Sequence, residues 1–230
     1  MIWEFWDSKV VLFMNVSNPN FMDKSMREVV EFRFACKHFD AAKKIEDGVL
    51  HELLDLTRLS PSSYGVQPWK FIVVKNEGLK NALLPACYNQ PQITEASCVV
   101  VMCSEMDLAG ENGLLKKYVA KSKEDLGYSD EESANFENML SNSLLSKSSE
   151  ELKCWAQKQI YLAGMSLMIA AAEKGIDSCP MEGFESAKVS EVLGLSQNVL
   201  PTLIVPLGYR NMEQPKKTRF DFDVVVEERK

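Results

Sequence analysis

The apolar positions of this chain change period several times, and each change marks an element. Met26, Val29, Val30 and Arg33 recur at helical spacing and predict a first helix over about 23–34. Val49, Leu50, Leu53, Leu54 and Leu56 predict a second, with Glu46 and Asp47 in its first turn, the sign a helix N-terminus favours. Ser60-Pro61 ends it, because proline lacks a backbone donor and disfavours helical geometry in the residue before it. Phe71 to Val74 and Cys98 to Cys103 read as buried strands, with a short helix at 76–87 between them. From 104 to 150 the pattern turns polar with scattered leucines, which predicts a helical excursion from the main body. A long helix follows over 150–174 and stops at Gly175. A short helix at 186–193 then ends at Gly194, and Thr202 to Leu207 reads as a strand.

Interleaved helices and apolar strands predict an α+β or α/β fold, a central sheet covered by helices on both faces. The 230 residues, 46% hydrophobic, can bury a substantial core in one domain. Ile160 to Ala172 is apolar all round yet too short to span a bilayer. Such a helix must be buried, and the centre of a dimer is the natural place. The first residues are aromatic-rich but carry Glu4, Asp7 and Lys9, which suits neither a signal peptide nor a membrane span. They read as an extension over 1–21, ahead of a domain over 22–230.

A net charge of −7 argues against a general nucleic-acid binder. Six cysteines without a CxxC pair, beside only two histidines, argue against a zinc site and suit a reducing cytoplasm. Neither GxGxxG nor GxxxxGK[ST] occurs, so a Rossmann or P-loop nucleotide site is not supported. The densest cluster of polar and turn-forming residues is Ser60-Pro61-Ser62-Ser63-Tyr64-Gly65-Val66-Gln67-Pro68-Trp69. Its prolines and glycine fix an irregular turn, and its serines, amide and exposed N–H groups offer many hydrogen-bond partners in a small space.

That segment resembles the S-P-S-S-x-N-x-Q-P-W stretch of the nitroreductase family, with Gly65 at the usual asparagine. Three further segments agree in order. Arg33-Phe34-Ala35-Cys36-Lys37-His38-Phe39 is similar to the family's R-x-S-x-[RK]-x-[FY], and Gly175-Ile176-Asp177 to Gly183-Phe184 to its G-[LI]-D-x-x-P-[IM]-x-G-[FY]. Lys217-Thr218-Arg219 fits its basic tail. The resemblance spans roughly 22–220 and implies a three-layer α/β/α sandwich, a mixed central sheet and an intertwined homodimer with FMN sites at the subunit interface.

The same resemblance implies roles for particular residues. Arg33, Lys217 and Arg219 would hold the FMN phosphate, their guanidinium forks and ammonium suited to its oxygens. Phe34 and Ala35 flank that site, and Lys37 and Asn89 would reach the pyrimidine edge of the flavin. Pro180, Met181, Glu182 and Gly183 would line one flavin face, with a backbone N–H toward N5. Ser62, Ser63, Gly65 and Gln159 would approach from the partner subunit, and Pro61 is a further cofactor-binding residue. The implied mechanism is ping-pong, from NADH or NADPH through FMN to a nitroaromatic or quinone-type acceptor. It needs no protein nucleophile, no metal and no membrane, and leaves Lys37 and Glu182 in supporting roles. Glu182 also reads as a purely structural hydrogen-bonding group.

Departures from the family pattern keep other readings open. Phe34 and Ala35 replace polar residues, and Gly65 replaces an amide. Cys36 and Cys179 beside the expected site read as packing groups or as redox-sensitive thiols. A flavin or pteridine reductase, an enzyme of flavin breakdown, or a non-catalytic flavin-binding protein fits the same motifs.

Overall fold

The computed structural model describes residues 25–229; the 1–21 extension lies outside them. At its centre lies strand β2 (Cys98–Glu105), whose apolar run leaves only Glu105 short of full burial. Antiparallel ladders join it to β1 (Trp69–Val74) and β4 (Val199–Gly208), and β3 (Asp177–Ser178) closes the far edge in the order β1-β2-β4-β3. Val100 stands opposite Ile72's neighbour Val73 on one side and Val205 on the other. Among the described residues a parallel pairing occurs at one place, the bridge between Ala35 and Ser178. The sheet is thus mixed only through that bridge.

Alternation along β2 divides the core, since successive side chains leave a strand on opposite faces. Val99, Val101 and Cys103 pack with Leu83, Ile93 and Val189 from α3 (Glu77–Ala86), α4 (Gln92–Glu95) and α8 (Ser186–Leu193). Cys98, Val100 and Met102 pack with Leu50 and Leu53 of α2 (Asp47–Arg58), and with Ile160, Ala163 and Leu167 of α7 (Ser149–Glu173). The polar stretch folds as α5 (Leu114–Leu126) and α6 (Asp130–Leu144). They hold a third core of Leu115, Val119, Leu140 and Leu144, and Val66 and Leu108 join it.

Helix ends follow local chemistry. Ser25 with Glu28, Ser129 with Glu132 and Ser148 with Glu151 form capping boxes that start α1 (Met26–Phe32), α6 and α7. Gly175, at φ +73, turns the chain out of α7 in the left-handed region that glycine tolerates.

Several boundaries differ from those the sequence suggests. α1 is shorter than 23–34 because Arg33 is already extended, which brings Ala35 beside Ser178. β4 begins three residues before Thr202; Pro201 conceals that start, and the register slips between Met102 and Cys103 opposite it. The four-residue helices α4 and α9 (Phe222–Val225) are too short to show a period. α7 is not buried all round: Tyr161, Leu162 and Met165 are 43%, 47% and 42% exposed, while its other side lies in the core.

The close approach of α7 to the sheet occurs at Gly164, where a Cβ would lie 2.6 Å from Leu203 Cδ2. Gly164→Val should therefore destabilise the protein by about 1–3 kcal/mol through overpacking. Gly48→Ala, whose added Cβ meets nothing within 4 Å, should instead stabilise it by about 0.4–1 kcal/mol. Denaturant midpoints check both signs.

Candidate functional site

The C-terminal turn of α1 leaves carbonyls that the helix cannot satisfy, and the chain's tail supplies their donors. Lys217 Nζ donates to the Val30 carbonyl, Gln214 Nε2 to Glu31 at 2.7 Å, and Arg210 Nη2 to Phe32 at 3.3 Å. Arg210 is itself fixed by the buried Asp177. Its backbone N–H and Nε donate to the two carboxylate oxygens at 2.9 and 2.8 Å, and Nη2 lies 2.6 Å from Oδ1. The guanidinium also sits 4.2 and 4.7 Å from the Phe32 and Phe34 ring centroids.

This clamp lays the tail along residues 33–35 and leaves a cleft of about 390 Å³ between them. Arg33, Phe34, Ala35, Lys216, Lys217 and Arg219 line it, with Pro215 and Thr218, and none of these described lining residues carries a carboxylate. Arg33 Nε is buried, and among the described residues it has no hydrogen-bond partner. The Lys217 ammonium is held below its ordinary pKa by partial burial first, then by the Arg33 and Arg219 charges, with Glu31 opposing. Concentrated positive charge and an unused buried donor suit a phosphate group, which accepts several charge-assisted bonds at once. The residues present fit FMN at this end.

The Ala35–Ser178 bridge joins the cleft to a second group. Lys37 Nζ lies 3.3 Å from the Cys179 thiol. Burial raises the pKa of Cys179, with Lys37 and Gln92 pulling the other way. Cys36 is pushed up to about 11, mainly by burial and then by Asp177, and its thiol donates to the His38 carbonyl at 3.1 Å. Both thiols are fully buried and held protonated, which suits packing groups better than reactive ones.

Met181 exchanges hydrogen bonds of 2.8 and 3.1 Å with Ile204 at the sheet edge, and the chain then turns outward through exposed Glu182 and Gly183. Gln90 Nε2 donates to the Gly183 carbonyl at 2.8 Å, and Gln92 Nε2 donates to Gln90 Oε1 at 3.0 Å. The turn carrying exposed Asn89, at φ +55, is thereby tied to the Pro180–Gly183 segment. From α7 the Tyr161 hydroxyl donates to Glu182 Oε1 at 2.7 Å. Burial first, and that bond second, push the phenol up to about 12.

The serine-rich loop forms a third group. Ser63 N–H donates to Gln159 Oε1 at 2.8 Å, Gln159 Nε2 donates to the Trp155 carbonyl at 2.8 Å, and Gln67 N–H donates to Ser62 Oγ at 3.0 Å. Pro61 is exposed just ahead of these bonds, and Gly65 turns the loop at φ +74.

The structure therefore gathers Arg33, Phe34, Ala35, Lys217 and Arg219 in one cleft, with Lys37, Asn89 and Pro180–Gly183 along the strip beside it. Pro61, Ser62, Ser63, Gly65 and Gln159 form a separate group. Gln159 and Tyr161 are two residues apart on α7, so their side chains leave the helix about 200° apart. The loop bonded to Gln159 nonetheless reaches the Tyr161 side of that helix, where Pro61 lines one cavity with Tyr161, Leu162 and Met165.

Asp177, Arg210, Gln90, Gln92 and Tyr161 were not assigned roles from the sequence. Asp177 could have been, since a carboxylate between Ile176 and Ser178-Cys179 in a buried segment requires a cation.

Frame, cleft and strip define an α+β protein that presents a cationic cleft at the edge of a small antiparallel sheet. The chain belongs to the nitroreductase family, whose profile matches residues 30–209. A protein of Staphylococcus haemolyticus named as an NAD(P)H nitroreductase is 35% identical over 219 residues, covering 90% of this chain and 98% of its own. Among solved structures, a nitroreductase of Exiguobacterium sibiricum crystallised with FMN shares the fold at TM-score 0.79 and 22% identity, over 90% of this chain and 98% of that one. An NAD(P)H:FMN oxidoreductase of Staphylococcus epidermidis does so at TM-score 0.81 and 22% identity, over 89% and 95%.

Arg210→Met should strand the buried Asp177 and lower stability by about 3–5 kcal/mol. Adding Asp177→Asn should recover much of that loss. Urea denaturation of the single and double variants measures both, and an additive double variant would contradict the pairing.

Proposed function

We propose that this protein is an FMN-dependent oxidoreductase that transfers electrons from NADH or NADPH to a small acceptor of nitroaromatic or quinone type. The observation that carries the reading is the cationic cleft, with no carboxylate among its described lining residues and with the buried Arg33 Nε that no described residue bonds. Arg33, Lys217 and Arg219 hold the phosphate, and Arg210 and Gln214 position them by tying the tail to α1. Lys37 presents its charge at the pyrimidine edge, where it favours negative charge on the ring. Asn89 meets the same edge, and Pro180, Met181, Glu182 and Gly183 line one face, their backbone fixed by Ile204 and Gln90. Bound there, FMN would supply the redox chemistry that links oxidation of the nicotinamide to reduction of the second substrate, in ping-pong order.

Two observations support a homodimer with a shared site. The Tyr161, Leu162 and Met165 face of α7 is apolar and about half exposed, which a second copy would cover. Pro61, at the head of the serine-rich loop, lines one cavity with Tyr161, Leu162 and Met165, so the loop borders the face that a second copy would cover. A cytoplasmic location accords with the reduced state of all six cysteines, Cys36, Cys87, Cys98, Cys103, Cys154 and Cys179. No helix among the described residues is long and apolar enough to cross a membrane.

Purified protein should be yellow or turn yellow with FMN, bleach anaerobically with NADH or NADPH, and recover colour on adding a quinone or nitro compound. Arg219→Ala should weaken FMN binding by about 1.5–3 kcal/mol, the scale of a hydrogen bond to a charged group. A protein that stays colourless with FMN would sink the reading, and unchanged affinity in Arg219→Ala would refute the placement of the phosphate.

A further inference from the structure

Behind the strip of Lys37, Asn89 and Pro180–Gly183 runs a directed chain of side-chain amides. Gln92, 2% exposed, donates from Nε2 to Gln90 Oε1 at 3.0 Å and to the Cys179 thiol at 4.0 Å. Gln90 Nε2 donates in turn to the Gly183 carbonyl at 2.8 Å and to the Cys87 carbonyl at 3.1 Å. Cys179 is also the sulfur that receives Lys37 Nζ, at 3.3 Å. We propose that Gln90 and Gln92 are positioning residues: without touching the cofactor, they fix Lys37, Asn89 and the Glu182–Gly183 backbone in the one arrangement that receives the flavin.

The polarity of the chain carries the assignment. A side-chain amide donates from its nitrogen and accepts at its oxygen, so each has one orientation that satisfies its neighbours. Turning Gln90 over would set its oxygen against two carbonyl oxygens, and turning Gln92 over would set oxygen against oxygen and take a donor from Cys179. Because Gln92 is buried, a bond lost there is not replaced by water, and the order of the chain is held. The Cys87 carbonyl opens a turn in which Tyr88 and Asn89 adopt φ of +54 and +55, backbone that non-glycine residues keep only where their surroundings impose it. Gln90 closes that turn on one side and reaches Gly183 on the other. The approach is tight: a Cβ on Gly183 would lie 3.2 Å from Gln90 Nε2 and 3.8 Å from Tyr88 Cδ2. Three segments distant in the chain are thus ordered before a ligand arrives, and binding need not order them again.

The inference rests on the flavin reading above, and the wild-type protein separates the two: failure of the wild type to bind FMN overturns that reading first. Given binding, two variants test the amides by FMN fluorescence quenching and by thermal unfolding of the FMN-free protein. Gln90→Ala, at a half-buried position, should keep the melting temperature close to wild type while weakening FMN about three- to tenfold. Gln92→Glu keeps the shape but, once ionised, offers Gln90 no donor; Gln90 then turns its own donors to the carboxylate and releases Gly183. FMN affinity in Gln92→Glu should fall about tenfold at alkaline pH and recover toward wild type as acid restores an O–H donor. The wild type titrated alongside removes the contributions of the FMN phosphate, Lys37 and Cys179, which both proteins share. Wild-type FMN affinity in Gln90→Ala would overturn the proposal, and so would a joint loss of stability and affinity there, the mark of a merely structural role. A Gln92→Glu protein whose FMN affinity follows pH as the wild type's does would overturn it too.

Discussion

The buried ion pair between Asp177 and Arg210 is the interaction on which the site depends. Asp177 is 4% exposed, and a carboxylate so placed is tolerated only with a well-bonded cation. Arg210 meets that need with its backbone N–H and its guanidinium, and the same fork reaches Gln214 and the Phe32 carbonyl. One pair thus joins the sheet edge, the end of α1 and the basic tail. Without it only the Lys217–Val30 and Gln214–Glu31 bonds would hold the tail against α1, and mutual repulsion among Arg33, Lys217 and Arg219 would work against them.

The rest of the frame serves to present that edge. β2 is apolar on both faces because helices cover both, and its alternation allots residues to two cores. Ala35 pairs with Ser178 at the opposite margin from β1, and this single bridge places the anion cleft beside Lys37 and Cys179. The serine-rich loop belongs mechanically to the excursion, through Val66, more than to the sheet.

Elements with a strong period were legible before any coordinates: the run Cys98 to Cys103, the long helix ending at Gly175 and the short helix ending at Gly194. Their limits were less so. Pro201 disguised the start of β4, and four-residue helices carry no period. The ordered motifs identified which segments meet, including Arg33 with the Lys217–Arg219 tail. What they could not supply were contacts made by residues whose partners lie far away in the chain. Tyr161 with Glu182 and Gln90 with Gly183 depend on how α7 and the sheet edge pack, which no local pattern encodes. The all-round burial expected of Ile160 to Ala172 applies within this chain to one side only. The other side stays open, as the interface of a second copy would require.

The central claim is that a phosphate-bearing flavin is held by a cluster of cations, and the most direct test compares FMN with riboflavin, which lacks the phosphate. Titration of the flavin-free protein at low and high salt should show FMN binding at least about tenfold more tightly, with the advantage shrinking as salt screens the cleft. Equal affinity for the two flavins, insensitive to salt, would contradict the account.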